Sequence, residues 1–352
     1  MCRHPLNSLL SLSLLSMSMA TVTAGEYGSE LYDSGWQMNL DNDLWTGQST
    51  DRDYTGGMAV TLSGKRAQQY PVSIDAGRAW FDKLLGFPHM YRSSEYMKFH
   101  SQQYGMTLFT PKDISSEFPI YDDRPYGSLL FMSNTEFTVV PDKDRAYVSI
   151  LSIGFIGLEL AEEVQRSLHS ITGSEVPNGW QYQVSDGGEP AVMLTYGVQN
   201  NIYASAQQQL KLEYEGNLGF ITDVNAGLSW RWGKIHSPWW TFNPYQSKYM
   251  QQSMPLFSSN NTGDGDEFYL WAGGRLNLRI YNALLQGQFR HSEVTVSSED
   301  MERLVAEYWF GATLEFASRY AASFFIRGHS DEFKGPNARS HTWGGALFSV
   351  TY

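Results

Sequence analysis

The sequence has almost no cysteine and no long apolar run, and both shortages limit the classes of protein it can encode. Its single cysteine, Cys2, lies in a segment with a basic start and an apolar run from Leu9 to Ala20. This pattern is typical of a secretory signal peptide, and we expect cleavage after Ala24. The mature chain therefore has no disulfides and no thiol chemistry. No later stretch reaches the ~20 apolar residues of a membrane-spanning helix, which excludes a helical membrane protein.

Basic residues are also scarce, whereas aromatic residues are abundant. The chain has 25 Lys and Arg against 37 Asp and Glu, a net charge of -12, which argues against a nucleic-acid partner. It contains 21 Tyr, 19 Phe, 11 Trp and 32 Gly, with a polar mean hydropathy of -0.36. A polar average with many aromatics is typical of a transmembrane β-barrel, because only alternate residues meet lipid and aromatic girdles mark both interfaces.

Alternation of apolar and polar residues predicts the strands. At the first strand, Trp36, Met38 and Leu40 alternate with Gln37 and Asn39. About twelve such segments indicate an all-β fold, a transmembrane antiparallel up-and-down barrel that occupies residues 25–352 after a signal at 1–24. The predicted strands span residues 36–45, 54–63, 99–110, 125–138, 145–157, 190–201, 207–219, 222–233, 267–281, 306–317, 319–328 and 342–352.

Charged residues of both signs fall on the predicted inner face, where they are typical of a polar barrel lumen. We interpret this set as scaffold: Lys211, Glu213, Glu215, Arg231, Arg275, Arg279 and Glu315. Two long inserts interrupt the strands. Lys65–Lys98 contains a predicted helix around Ala76–Leu85, and His236–Asp266 is rich in Pro, Ser and Asn. Both follow even-numbered strands, so we expect both on the periplasmic side.

Residues suited to chemistry gather where odd strands end and even strands begin. Asn42 and Asp43 end the first strand, Thr55 begins the second, Lys112 follows the third, and Arg124 precedes the fourth. In an up-and-down barrel these positions share one rim. We expect that rim to face the cell exterior, beside the outer leaflet that holds lipopolysaccharide.

A helix is predicted after the fifth strand, over Glu159–Ile171, with Gly173 as its C-cap. Gln165 and His169 lie one helical step apart. Apolar residues recur at helical spacing, and we expect this set to pack on the barrel: Ala161, Val164, Leu168 and Ile171.

The motifs at this rim resemble a known family. Asp-Asn-Asp at 41–43, Asp-Tyr-Thr-Gly-Gly at 53–57, and Gln165-x-x-x-His169 followed by Ile171-x-Gly173 are similar to those of outer-membrane lipid A deacylases of the LpxR type. The resemblance covers roughly residues 36–175, and the remainder matches only as a generic barrel. It implies an esterase that removes a 3'-linked acyl or acyloxyacyl chain from lipid A.

The resemblance also implies catalytic roles. His169 matches the family's catalytic histidine, with Gln165 beside it, and would activate water because a neutral imidazole accepts a proton near neutral pH. The family is calcium-dependent. Asp43, with Asn42 and Glu175, offers the hard oxygen ligands that Ca²⁺ prefers.

Three further residues match the family in position. Thr55 resembles an active-site Ser or Thr that positions water or substrate. Lys112 matches a lysine near the substrate phosphate, and Arg124 is a second candidate for that contact.

Two departures from the family pattern concern the strand end and the helix. Leu158, rather than proline, follows Gly157 before the helix. Strict alternation puts Asn42 and Asp43 on opposite faces, so either a bulge realigns them or one of them faces lipid at the rim.

Two other functions stay open. Outer-membrane phospholipase A is also a twelve-stranded barrel with a His–Ser–Asn arrangement, and the nearest sequences are His291-Ser292 and His329-Ser330, neither followed by Asn-Gly. A non-catalytic barrel or pore is the second alternative. In each case we expect a monomer in the outer membrane.

Overall fold

The computed structural model describes residues 30–47, 52–87, 95–245, 254–257 and 265–352. The predicted signal peptide lies outside these ranges. Twelve antiparallel strands close into a barrel in which each pairs with its sequence neighbours and β1 pairs with β12. The strands are β1 Gly35–Asn42, β2 Asp53–Ser63, β3 Met97–Thr110, β4 Gly127–Val140, β5 Arg145–Ile156, β6 Glu189–Ala204, β7 Gln208–Gly219, β8 Ile221–Lys234, β9 Glu267–Asn282, β10 Leu304–Phe316, β11 Tyr320–His329 and β12 His341–Thr351.

Four α-helices accompany the strands in the described residues: α1 Arg66–Gln69, α2 Asp75–Leu84, α3 Leu160–Thr172 and α4 Ala283–Gln286. Among these residues, no helix is long and apolar enough to cross a membrane. The predicted helix after the fifth strand is confirmed as α3. We call the rim where odd strands end the upper rim, and the opposite one the lower rim.

Side chains alternate between lumen and outer surface along the strands. On β8, Val224, Leu228 and Trp232 are exposed on the outside, whereas Arg231 is fully buried in the lumen. The outward apolar row suits hydrocarbon, and backbone pairing around the closed ring leaves no strand edge unsatisfied there.

Ion pairs and aromatic rings fill the lumen, as the inward charged set predicts. Arg275 Nε donates to Glu307 Oε2 at 2.8 Å, and Arg327 Nη1 donates to Glu307 Oε1 at 3.0 Å. Lys211 Nζ lies 3.4 Å from Glu213 Oε1. Of the predicted inward set, only Glu315 is partly exposed.

The described parts of the second insert lie in the lumen, near the lower rim. We call its described parts, residues 235–245 and 254–257, the plug. Trp239, Trp240, Met254 and Phe257 pack in one cluster with Phe99, Phe137 and Val148 of the inner wall. Arg231 Nη2 donates to the carbonyl oxygens of Ser237 and Pro238, both at 2.9 Å. The described parts of the insert therefore occupy space in the lower half of the lumen.

The described part of the first insert before β3 lies outside the barrel. We call its residues 64–87 the collar, which contains α1 and α2. Arg78 of α2 donates to Asn134 Oδ1 at 2.9 Å, and Gly77 faces Leu151. Asn134 and Leu151 are cross-strand partners on the face opposite the plug contacts, so the collar covers the outer wall.

Removing one partner of the Lys211–Glu213 pair should destabilise the barrel. Lys211→Met leaves the fully buried Glu213 carboxylate without its cation, and breaking such a pair costs about 3–5 kcal/mol. The control is Lys211→Met combined with Glu213→Gln, which removes both charges and should recover most of the loss. Urea unfolding in phospholipid vesicles measures both. Equal losses for the two variants would contradict an electrostatic origin.

Candidate active site

The first strand ends at Asn42 because the Asn42 side chain caps a 3-10 turn. Asn42 Oδ1 accepts from Leu44 N at 2.8 Å, and the turn Asp43–Thr46 ends at Gly47, whose φ of 80° is left-handed. The expectation that the strand continues to residue 45 is wrong for this reason. The turn frees Asp43 from strand alternation. Asp43 is fully buried, and its Oδ2 accepts from Arg52 N at 2.9 Å.

A β-bulge lies in the second strand, at Thr55. Tyr54 pairs with Phe109 and Gly56 pairs with Leu108, so Thr55 has no partner in the register. Because of the bulge, Tyr54 and Thr55 are both buried, on opposite sides of the barrel wall. Tyr54 points into the lumen, and Thr55 Oγ1 lies 2.7 Å from Thr110 Oγ1.

The bulge also joins the two motifs of the hairpin. Asn42 Nδ2 donates to the Thr55 carbonyl oxygen at 3.2 Å. Asn42 follows Leu40 in alternation on the outer face, and Thr110 follows Leu108 on the same face of β3. From the sequence, a bulge in the first strand was one of two explanations for how Asn42 and Asp43 could be aligned. The structure places the turn after the first strand and the bulge in the second.

Helix α3 turns a polar stripe toward the barrel. Ala161, Gln165 and His169 are buried, one helical turn apart. Leu168 and Ile171, which the sequence placed against the barrel, are 53% and 83% exposed, so that expectation is wrong. Ala161 and Val164 of the same predicted set do pack on the barrel, in one cluster with Met106 and Leu108, so the prediction holds for half of the set.

Hydrogen bonds to backbone and side chains fix the two polar residues of the stripe. His169 Nδ1 contacts the Glu175 carbonyl oxygen. Because a carbonyl only accepts, Nδ1 carries the proton and the basic lone pair lies on Nε2. Gln165 Oε1 accepts from Trp180 Nε1 at 2.8 Å. Gly173 ends α3 with a φ of 74°, as predicted.

The two halves of the site meet on the outer face of β3. Met106 and Leu108 pack in one cluster with Ala161 of α3 and with Trp180. Two residues beyond Leu108 on the same face, Thr110 contacts Thr55. The hairpin motif and the helix motif therefore flank one stretch of the upper rim, between the barrel wall and α3.

The other predicted residues lie at different depths. Lys112 is exposed just above Thr110, and its backbone N donates to Asp123 Oδ2 at 2.9 Å. Arg124 is buried inside the rim, over the Phe109 ring at 4.4 Å, and donates to Glu332. The side chain of Glu175 is exposed, while its backbone oxygen contacts His169.

Comparison with known proteins decides the family. The family described as "Outer membrane protein LpxR" matches residues 9–352. The chain belongs to the LpxR family. LpxR from Salmonella typhimurium is 18% identical, with a TM-score of 0.68 over 91% of this chain and 100% of that one, which shows a shared fold.

Other solved barrels are more distant from this LpxR-family chain. The β domain of the Bordetella autotransporter BrkA is 8% identical, with a TM-score of 0.43 over 91% of this chain and 100% of its own. The NalP translocator domain from Neisseria meningitidis is also 8% identical, with a TM-score of 0.41 over 91% and 87%. No curated protein matches the sequence.

The donor chemistry of the rim suits a hard cation. Asp43 supplies a buried carboxylate beside the amide of Asn42, and Glu175 supplies an exposed carboxylate after α3. Oxygen donors of this kind fit Ca²⁺, which also takes backbone and water oxygens. Within the described ranges, no group of three or more His, Cys, Asp and Glu side chains forms a ready-made metal cluster.

Several residues that position the site were given no role from the sequence. Thr110 contacts Thr55. Trp180 donates to Gln165, and its ring packs 4.9 Å from the Tyr126 ring.

Arg339 forms ion pairs with Asp53 at 2.7 Å and with Asp123 at 2.8 Å. These two contacts connect the start of β2 to the β3–β4 loop. Of these residues, only Trp180 could have been noticed in the sequence, because it is a single tryptophan shortly after the predicted helix.

A hydrogen bond between loops also links the upper rim. Tyr121 Oη donates to Glu293 Oε1 at 2.9 Å, which joins the β3–β4 loop to the β9–β10 loop. The bond to this carboxylate raises the pKa of the Tyr121 phenol above its ordinary value. The tyrosine is therefore neutral at physiological pH, and the link persists.

Substitutions of Asn42 should separate the contribution of its cap on the 3-10 turn from that of its hydrogen bond to Thr55. Asn42→Ser keeps a capping oxygen for the 3-10 turn and loses only the bond to Thr55. Asn42→Ala loses both, and loss of a cap costs about 0.5–2 kcal/mol. We expect Ala to lower the free energy of unfolding more than Ser, measured by denaturant titration in vesicles. If both variants unfold alike, the cap contributes nothing.

Proposed function

We propose that this LpxR-family barrel is a lipid A deacylase that hydrolyses the 3'-linked acyl or acyloxyacyl ester of lipopolysaccharide. One observation carries the proposal. The imidazole of His169, oriented through Nδ1 by a backbone carbonyl, lies on the α3 stripe that faces the outer wall of the barrel. A lipid in the membrane can approach that wall from the side.

The proposed reaction is direct attack of water on the ester. His169 Nε2 takes a proton from water, whose oxygen forms a bond to the acyl carbonyl carbon. The bond from that carbon to the sugar oxygen then breaks. The imidazolium returns its proton to the departing sugar oxygen, which leaves a free fatty acid and a 3'-hydroxyl. A base of this kind contributes about 10²–10⁴-fold to the rate.

Asp43, with Asn42 next to it in the chain, and Glu175, which follows α3, would hold the calcium ion. When bound, the ion supplies a positive charge that stabilises the developing oxyanion. Gln165, held by Trp180 at 2.8 Å, keeps the face of α3 that carries His169 turned toward the wall.

Other residues of the rim would position the substrate. Thr55, held by Thr110, would orient water or the ester. Of the two predicted phosphate contacts, the exposed Lys112 is the better placed, since the Arg124 guanidinium is engaged with Glu332 inside the rim. Leu168 and Ile171, exposed on α3, would contact acyl chains.

The upper rim would face the cell exterior. Both polar motifs and α3 lie on this rim, and both chain ends of the barrel lie on the lower one. Lipopolysaccharide in the outer leaflet would then reach the site without leaving the membrane. We propose that the protein acts as a monomer.

The alternative functions gain less support. The hydroxyl groups of the two phospholipase-like sequences have structural contacts, because Ser292 Oγ accepts from Ser185 N at 2.9 Å and Ser330 Oγ accepts from Ala306 N at 3.1 Å. A pore needs an open lumen, whereas the plug and the inner ion pairs occupy the described lumen.

His169→Ala should abolish deacylation without unfolding the barrel. We expect a loss of at least ~10²-fold, because the general base is gone. The measurement is mass spectrometry of lipid A from cells that express each variant. His291→Ala is the matched control, since His291 is an exposed histidine of another upper loop. Full activity of folded His169→Ala would overturn the mechanism, and unchanged lipid A with the wild-type protein would overturn the function.

Calcium removal should have the same effect as loss of Asp43. Chelation of calcium at constant magnesium should stop the release of the acyl chain, and added calcium should restore it. Asp43→Asn keeps an oxygen for Arg52 N but loses the charge, so we expect activity only at raised calcium. The rate of fatty-acid release against free calcium measures both. A rate independent of calcium would contradict the metal assignment.

A further inference from the structure

The outer wall of the barrel is polar over one area that the collar covers. On most strands the outward row is apolar along its length, as on β9, where Leu270, Leu276 and Ile280 are exposed. Near the lower rim of β3 and β4 the outward row becomes polar and charged: Lys98, His100, Gln102, Asn134, Glu136 and Thr138.

This polar area lies within the height that a membrane occupies. A membrane-spanning strand needs about 9–11 residues in the bilayer. The apolar outward row of β4 contains only Leu130 and Met132 before Asn134. This apolar stretch is too short to span the hydrocarbon layer. Without a cover, the charges of Glu136 and Lys98, paired at 2.6 Å, would contact hydrocarbon.

The collar binds this area through its charged face. Arg78 is buried and lies 2.7 Å from Asp75, 3.3 Å from Glu136 and 2.9 Å from Asn134. Asp82 accepts from Ser149 on β5. Asn134 Nδ2 donates to the Ala67 carbonyl oxygen of α1 at 3.3 Å.

Helix α2 is therefore inverted relative to a helix on a water-soluble protein. Its inner stripe is Asp75, Arg78 and Asp82, whereas Trp80 and Leu84 on the other side are 58% and 64% exposed. An apolar helix face turned away from the protein is stable when its surroundings are apolar.

We propose that the collar is a lipid-contact surface whose occupant is the phospholipid leaflet next to the lower rim. Trp80, Leu84 and Leu85 continue the apolar outer face of the barrel across the polar area of β3–β5. Trp80 suits the interface between headgroups and acyl chains. The exposed Lys65 and Lys83 can extend toward the headgroups at the same depth.

Spin labels test this surface, because Cys2 is the only cysteine of the chain. In a Cys2→Ser background, Leu84→Cys and Trp80→Cys place labels on the collar. Leu276→Cys on β9 is the lipid-facing control, and Glu299→Cys in an upper loop is the water-facing control. The protein is reconstituted in vesicles of phosphatidylethanolamine and phosphatidylglycerol, and heat-modifiable migration verifies folding.

The measured quantity is the ratio of two collision rates of each label. One is the rate with oxygen, which concentrates in lipid, and the other is the rate with a water-soluble nickel chelate. We expect the ratio at Leu84 to exceed that at Glu299 several-fold and to be lower than that at Leu276, which lies deeper in the membrane, with Trp80 between Leu84 and Glu299. A water-like ratio at both collar positions would overturn the proposal. Protection of both positions from both reagents would overturn it too, because a protein surface would then cover the collar.

Discussion

Closure of the backbone ladder between β1 and β12 is the constraint on which the rest of the structure depends. Hydrocarbon offers no partner to a backbone amide, so a sheet in a membrane must have no open edge. Once the ring is closed, each strand residue faces either the lumen or the outer surface. Ion pairs such as Arg275–Glu307 then fill the lumen. Groups that act on a lipid must lie on the outer surface or at a rim.

The same constraint made most of the fold predictable from the sequence. A strand with lipid on one face and a polar lumen on the other has a strict period of two, and β8 and β9 follow it with Arg231 and Arg275 inward. Their predicted limits differ from the observed ones by at most one residue. The gathering of Asn42, Thr55 and Lys112 on one rim also follows from antiparallel alternation alone.

The details of the site were less predictable, for two physical reasons. The bulge at Thr55 depends on the register between β2 and β3, and the turn after Asn42 depends on a side-chain cap, so neither has a periodic signal. The inner face of α3 was predicted only in part, because Ala161 and Val164 pack on the barrel, whereas Leu168 and Ile171 were expected there as well. Leu168 and Ile171 point outward, as Trp80 and Leu84 do on α2, so the expectation that apolar residues turn toward the protein fails for part of both helices.

Polar contacts on the lumen side of the upper rim fix the positions of residues in the proposed site, which lies on the outer side of the same rim. Arg339 joins Asp53, at the start of the bulged strand, to Asp123 of the β3–β4 loop. Asp123 also accepts from the backbone of Lys112. A displacement of this loop would therefore move both Lys112 and the strand end that carries Thr55. Because the ion pairs lie inside the rim and not between the outer wall and α3, they can fix this geometry without occupying the space that a substrate needs.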